Sequence, residues 1–340
     1  MRILPGRTPR RYNAGMNAAA YEAVRKDPAG AGVALLRPGW LKVTGHDARA
    51  FLNGQLSNDI AALEPGRGAP ACLLNNTGHL LAYLYVHAAE DAAYLEIDGP
   101  PSTRIFDLLD RFIIREDVEI EDAGAAYATL TLQGAGSPQI VAALIGQNAA
   151  GLLPASNRRV PVLGDCPALL IARLRAPGDH GFDIVLPAGR AADLLGQALA
   201  QQGAVEMDPQ AAEVLRIEAG LPKWGAELDE SVIPLEAGLQ GAISTAKGCY
   251  MGQEIIARIL SRGHTNRSLV GLALDGPAAA GEALRAEGKA GEIGRVTSSC
   301  ESPEAGFIAL GYVRNEYAEL GAALRAEAAS GVVTAPPFVK

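Results

Sequence analysis

With 340 residues, 49% of them hydrophobic and 20% charged, the chain is long enough for two or three domains with real cores and too apolar to stay disordered. A net charge of −8 and an aromatic content of 5% argue against a general grip on phosphate backbones and against a stacking platform for bases, so no nucleic-acid partner is expected. Cys72, Cys166, Cys249 and Cys300 stand far apart without a C-x-x-C, and the five histidines lack metal-ligand spacing. No protein metal site is expected from spacing, although a cluster held between chains by one thiolate from each stays open. No apolar run approaches the ~20 residues of a membrane span, and the thiol pattern suits a reducing cytosol, so the expected location is cytoplasmic.

Residues 1–12 carry Arg2, Arg7, Arg10 and Arg11 with no apolar stretch behind them, which is not a secretory signal. The span 1–16 reads as a tail, with Met16 as an alternative start. A helix is predicted over 18–26, ended by Gly30 and Gly32, and a strand over 39–43. Asp47 is a plausible N-cap for the segment through Leu56, and Asn58 and Asp59 read as turn residues. The runs 69–74 and 80–86, joined by Asn75-Asn76-Thr77-Gly78, read as a hairpin. An amphipathic helix follows over 101–112 with Ile105, Leu108, Leu109 and Phe112 on one side, then an extended stretch over 113–120. The strand 126–132 leads through Gly134-Ala135-Gly136 into a helix ending near Ile145. The third glycine of a dinucleotide site is missing, so this is a plain strand–helix turn. Strands over 168–174 and 181–185, a helix over 191–201, a short strand near Val205 and a helix opening at Pro209 complete the first part. Beyond 264, short apolar runs at 269–274, 290–296, 307–313 and 322–326, separated by glycine turns, suggest a small β-barrel.

The densest chemistry lies in Lys247-Gly248-Cys249-Tyr250-Met251-Gly252-Gln253-Glu254. Ile255, Ile256, Ile259 and Leu260 recur at helical spacing, so a helix is predicted to start near Gly252 with Cys249 just before it. The free N–H groups of a helix start, with Lys247 close in sequence, favour the thiolate, the reactive form. The glycines leave room for a ligand or backbone to approach. The plain alternative is that Cys249 is a small buried hydrophobe.

This run resembles the K-G-C-Y-x-G-Q-E signature of the YgfZ-type folate-binding proteins, relatives of the glycine-cleavage aminomethyltransferase (GcvT) that support iron–sulfur proteins. The similarity extends from about Gly39 to the C-terminus. Helices mixed with hairpin-linked strands favour an α+β class. The resemblance further implies an aminomethyltransferase-like cloverleaf, with two related α/β subdomains over 17–264 and a C-terminal β-barrel over 265–340 around a central cavity. In the transferase an acid in a G-E-x-G-aromatic-E-I segment contacts the pterin, and Asp179 of Gly178-Asp179-His180-Gly181-Phe182-Asp183-Ile184 matches it. A carboxylate can accept two adjacent N–H donors at once. Arg216 of Arg216-Ile217-Glu218-Ala219-Gly220 matches an arginine that lines the folate site; bridging to another element is its structural alternative. Glu227, Pro234-Leu235-Glu236-Ala237-Gly238-Leu239 and Gly294-Arg295-Val296-Thr297-Ser298 extend the match. The resemblance places Cys249 as the functional thiol, Lys247 as the residue holding it reactive, and Tyr250, Gln253 and Glu254 around the folate and the thiol. Glu254 has a structural alternative as a first-turn acid facing the helix dipole.

One departure matters for function. The transferase carries an acid shortly after the hairpin turn, where this chain has Ala82 and Tyr83, so no carboxylate is available to stabilise a developing cation. The reading is therefore a tetrahydrofolate-binding accessory protein supporting assembly or repair of iron–sulfur proteins, with folate and those client or assembly proteins as partners. The alternatives are an aminomethyltransferase passing a one-carbon unit to tetrahydrofolate, and a thiol-dependent transferase on the same scaffold.

Overall fold

A computed structural model describes residues 16–148, 152, 155–174, 180–286, 288–289 and 291–339. The chain opens with α1 (Ala18–Arg25), β1 (Ala31–Leu36), β2 (Gly39–Thr44) and α2 (Ala48–Gln55). The hairpin β3 (Gly68–Leu74) and β4 (Leu80–Ala88) continues into β5 (Ala93–Asp98), α3 (Ser102–Asp110) and β6 (Glu119–Asp122). Then come β7 (Tyr127–Gln133), α4 (Ser137–Ile145), β8 (Asn157–Val162), β9 (Cys166–Leu174) and β10 (His180–Pro187). Next are α5 (Ala191–Leu199), β11 (Ala204–Glu206), α6 (Pro209–Ala219) and α7 (Gln253–Arg262).

These elements form two sheets, ordered β3-β4-β5-β2-β6 and β11-β1-β7-β10-β9-β8. Each sheet covers one face with helices. In β4, Ala82, Leu84 and Val86 are buried against Phe51 and Leu52 of α2 and Ile105 and Leu109 of α3. The Val, Leu, Ile and Phe side chains among these each contribute roughly 1.5–3 kcal/mol when fully buried. In the second sheet, Leu130, Leu132, Leu170 and Ile184 pack on Ile140 and Leu144 of α4 and Leu194 of α5. The period of two in a strand turns the alternate residues to the other face. Those helix-free faces meet, with Trp40 of β2 packing on Leu169, Ile171 and Val185 of the second sheet.

The remaining strands are β12 (Arg267–Leu274), β13 (Ala283–Ala286), β14 (Glu292–Ser302), β15 (Gly306–Arg314), β16 (Ala323–Arg325) and β17 (Ser330–Thr334). They close a six-stranded barrel in the order β12-β15-β14-β13-β16-β17. Leu272, Leu284, Ile293, Val296, Val313, Leu324 and Val333 fill it. The expected α+β architecture and the C-terminal barrel are both present.

Several local expectations change. Gly30 and Gly32 flank or enter a strand, β1, rather than only ending α1. The predicted extended stretch 113–120 is mostly loop, because the Glu116 carboxylate accepts the N–H groups of Ile114 and Arg115 at 2.8 and 2.9 Å. Asp47 stands at the start of α2 without capping it. Its carboxylate instead accepts the Asp117 N–H at 2.9 Å, a bond that holds its carboxyl below the usual range and ties α2 to that loop. Phe112 lies beyond α3 and is 40% exposed. The Gly134–Gly136 turn serves packing: a Cβ on Gly136 would lie 2.0 Å from the Ala29 carbonyl oxygen.

Candidate functional site

The Lys247–Glu254 run is a loop fixed at three points. The Lys247 ammonium donates to the carbonyl oxygens of Asn53, of Leu56 at 2.6 Å and of Asn58 at 2.9 Å. An ammonium has three donors, so all are engaged at the C-terminal end of α2, where unpaired carbonyls carry partial negative charge. Burial pushes the Lys247 amine down to about 8, with nearby Asp59 opposing that shift. Its Nζ also lies 5.0 Å from the Tyr250 ring centroid. Tyr250 is buried with Leu74 and Leu80 of the β3–β4 hairpin. Gly252 has φ +81° and presses against the hairpin turn, where a Cβ would lie 2.5 Å from the Asn75 carbonyl oxygen. That backbone and that approach both require glycine.

Between these anchors Gly248 and Cys249 are exposed. A Cβ on Gly248 would meet nothing within 4 Å, so the loop is open at that position. The helix begins at Gln253, with Gly252 as its cap, as the spacing predicts. Gln253 accepts the Tyr250 N–H at 3.3 Å through its side-chain carbonyl, closing the loop onto the helix. Glu254 is an exposed acid of the first helical turn. Lys247 therefore differs from its expected role: it builds the platform under the thiol loop, and its ammonium is directed to α2.

A second group lies between the sheets. Tyr83, Tyr85 and His87 share the helix-free face of β4. The Tyr83 hydroxyl donates to the Tyr85 hydroxyl at 3.4 Å, and the Tyr85 and His87 rings stack 6.3 Å apart. Arg173 of β9 lies 4.8 Å over the Tyr85 ring, bonds to Glu96 of β5, and donates from Nε to Asp183 of β10 at 2.6 Å. His87 Nε2 lies 3.0 Å from Glu96 Oε2. Burial works against charge on Glu96, yet Arg173 and His87 outweigh it and hold its carboxyl below the usual range. Burial lowers the His87 pKa, so the imidazole is neutral and donates from Nε2 to Glu96. Its Nδ1 is then an acceptor, buried and without a partner among the described residues. Tyr85, His87, Arg173, Ile171 and Gly68 line a cavity of about 190 Å³.

Arg216 is committed elsewhere. Its guanidinium donates to both Glu213 oxygens, to Glu227 Oε2 at 2.9 Å, to the Leu221 carbonyl and to Ser298 Oγ at 2.8 Å. That accounts for all five of its donors. Glu227 also accepts from Thr297 at 2.8 Å and Ser298 at 2.6 Å on β14. Glu218 is fully buried and accepts from Tyr21 of α1, Arg25 of α1 and Ser302 of β14. The R-x-E-x-G and V-T-S runs thus dock the barrel onto α6, which is the bridging role for Arg216. Asp179 falls in 175–179, outside the described residues.

Two sheets meeting by their helix-free faces, a closed barrel bolted to them by buried carboxylates, and a thiol loop over the hairpin turn define a T-protein-like architecture. Residues 7–247 match the GCVT N-terminal domain and residues 267–340 the glycine cleavage T-protein C-terminal barrel domain. The chain belongs to the glycine cleavage T-protein family. It is 33% identical to an aminomethyltransferase of Streptomyces avermitilis, over 84% of this chain and 78% of that one. It is 31% identical to the mitochondrial aminomethyltransferase of Gallus gallus, over 88% and 79%. A chloroplastic protein of Arabidopsis thaliana with a provisional transferase name is 29% identical over 88% and 69%. The fold matches the crystal structure of the glycine cleavage system aminomethyltransferase T from Bartonella henselae with a TM-score of 0.83, 24% identity, and coverage of 94% of this chain and 88% of that one.

Sequence reasoning passed over Tyr85, His87, Glu96 and Arg173. A signal existed in the alternation Tyr83-x-Tyr85-x-His87, which puts three polar rings on one strand face. Glu96 and Arg173 come together only through packing of one sheet on the other.

Proposed function

We propose that the protein binds tetrahydrofolate or a one-carbon derivative between its two sheets and acts as an accessory protein in assembly or repair of iron–sulfur proteins. Cys249 is its functional thiol, and its resemblance to the YgfZ-type proteins supports that assignment. Family membership supports the folate. The cavity chemistry fits a planar heteroaromatic ring: Tyr85 offers a ring face and His87 Nδ1 a free acceptor. Its volume of about 190 Å³ is below the roughly 300–1,000 Å³ of sites enclosing whole drug-sized ligands. The pterin ring alone is enclosed, and the tail lies outside. Asp179 is the candidate acid for the pterin. Arg216 acts by fixing the barrel, and Tyr250 and Gln253 act by shaping the thiol loop with Glu254 at its helix.

The observation that carries the accessory reading is Tyr83. Its side chain is a phenol, kept protonated by burial, and supplies neither a carboxylate nor a negative charge for one-carbon transfer. Ala82 points into the core. Aminomethyl transfer is the second reading, favoured by relatives of that name at 30–33% identity. The proposed location is cytoplasmic; among the described residues no helix is long and apolar enough to cross a membrane.

Titration with tetrahydrofolate, read by the fluorescence of Trp40 between the sheets, tests the folate site, alongside an aminomethyl-transfer assay. Saturable binding without turnover is expected. Turnover would replace the accessory reading with the enzymatic one, and absence of binding would remove both.

A further inference from the structure

His87 lines the cavity between the sheets, and one carboxylate decides which of its ring nitrogens carries the proton. Nε2 lies 3.0 Å from Glu96 Oε2, the same oxygen that accepts from Arg173 Nη2. Glu96 stays charged against its burial through Arg173 and His87, and a charged carboxylate only accepts, so Nε2 donates to it. A solvated imidazole exchanges tautomers to suit its partner, whereas this ring would lose the Glu96 bond by doing so. Burial keeps it neutral, which leaves Nδ1 a fixed acceptor. Nδ1 has no partner among the described residues. Gly68 of β3, which also lines the cavity, stands against it: a Cβ there would lie 3.1 Å from Nδ1. The Gly68 N–H is already committed to the Ala155 carbonyl at 2.7 Å.

Arg173, held on the same Glu96 oxygen, adds a donor. Its Nε bonds to Asp183 and its Nη2 to Glu96, while Nη1 makes no hydrogen bond among the described residues. It too lines the cavity. One acceptor next to one donor complements a ring N–H next to a carbonyl. The adjacent 2-amino and lactam N–H groups of a pterin would set two donors against a single acceptor and leave one unpaired. The pyrazine N–H beside the 4-oxo group satisfies both partners. That N–H exists when the ring is reduced and the nitrogen is unsubstituted. In the fully oxidised ring the nitrogen is bare, and its lone pair would face that of Nδ1.

We propose that His87, locked by Glu96 as a hydrogen-bond acceptor, makes the cavity select a reduced pterin over the fully oxidised ring. The inference rests on the folate reading of the cavity and adds its specificity.

The test is calorimetric titration of the full chain at neutral pH, without oxygen, with tetrahydrofolate and with folic acid. Wild type is expected to bind tetrahydrofolate at least about tenfold more tightly, because the oxidised ring leaves a buried polar group unpaired. His87→Phe is expected to bring the two affinities within about threefold of each other. A purely structural role for His87 would weaken both ligands alike and leave their ratio unchanged. Glu96→Gln, close in shape, releases the lock, since its amide can accept from Nε2 or donate to it. Its ratio is expected to fall in the same way, and it decides the matter where His87→Phe does not fold. Equal affinity of wild type for the two ligands, or an unchanged ratio in the folded variants, would overturn the proposal and leave the folate site standing. Wild type binding neither ligand would remove the folate reading and this inference with it.

Discussion

Lys247 and Cys249 are two residues apart and do different work. The lysine's three donors hold backbone carbonyls 189 to 194 positions away, while the thiol faces open space. Lys247→Met is therefore expected to lower stability by about 2–4 kcal/mol in urea denaturation, since hydrogen bonds from a charged group are lost together. Cys249→Ser, at an exposed position, should stay within about 0.5 kcal/mol. Equal stability of the two variants would contradict the anchoring role of the lysine. The motif marked both residues in the sequence. Helix spacing even located the helix start, but Lys247's partners lie in α2, and no local pattern reveals a contact across that separation.

At the scale of elements, β4 has two faces with two functions. Ala82, Leu84 and Val86 build the core with α2 and α3, Tyr85 and His87 face Ile171 and Arg173 of the second sheet, and Tyr83 packs on the cluster of Leu74, Leu228 and Val232. The buried His87 titrates below its unfolded value near ~6.5, so the unfolded chain takes up a proton first as pH falls. Glu96, held below the usual carboxyl range, contributes stability above its unfolded value near ~4.3 that is lost as pH falls through its lower folded value. Both act in the same direction, and stability should decline progressively on acidification from about pH 6.5. His87→Gln should flatten the decline between about pH 6.5 and 5 in denaturation series, leaving the carboxylate part at lower pH. An unchanged slope would show that His87 is not the group responsible. The hairpin itself was readable from Asn75 to Gly78. The Glu96–Arg173–Asp183 chain was not, because it joins three strands of two sheets.

At the scale of the molecule, the barrel is held to the sheets by buried carboxylates at the end of α6 and just after it. Arg216 and fully buried Glu227 meet Thr297 and Ser298 of β14 at one point, and Glu218 meets Ser302 at another. Arg216→Met should cost about 3–5 kcal/mol, because it leaves Glu227 buried without its cation, and thermal unfolding measures that loss. Spacing of short apolar runs revealed the barrel, but β13, with Leu284 as its one large apolar side chain, and β17, which opens on Ser330-Gly331, carry no such run. The R-x-E-x-G and V-T-S motifs were visible as matches to a folate-handling family. Their distance in sequence concealed that they bind each other.

As proposed, this T-protein scaffold serves iron–sulfur proteins through Cys249 rather than transferring aminomethyl groups. The most direct measurement is the activity of an iron–sulfur enzyme in a bacterial strain lacking its own YgfZ-type protein, supplied with the wild-type chain or with Cys249→Ser. Restored activity with wild type and not with the variant, both folded and equally expressed, is the predicted result. Wild type that is expressed and folded yet restores nothing would contradict the accessory role, and equal rescue by both chains would contradict the role of the thiol.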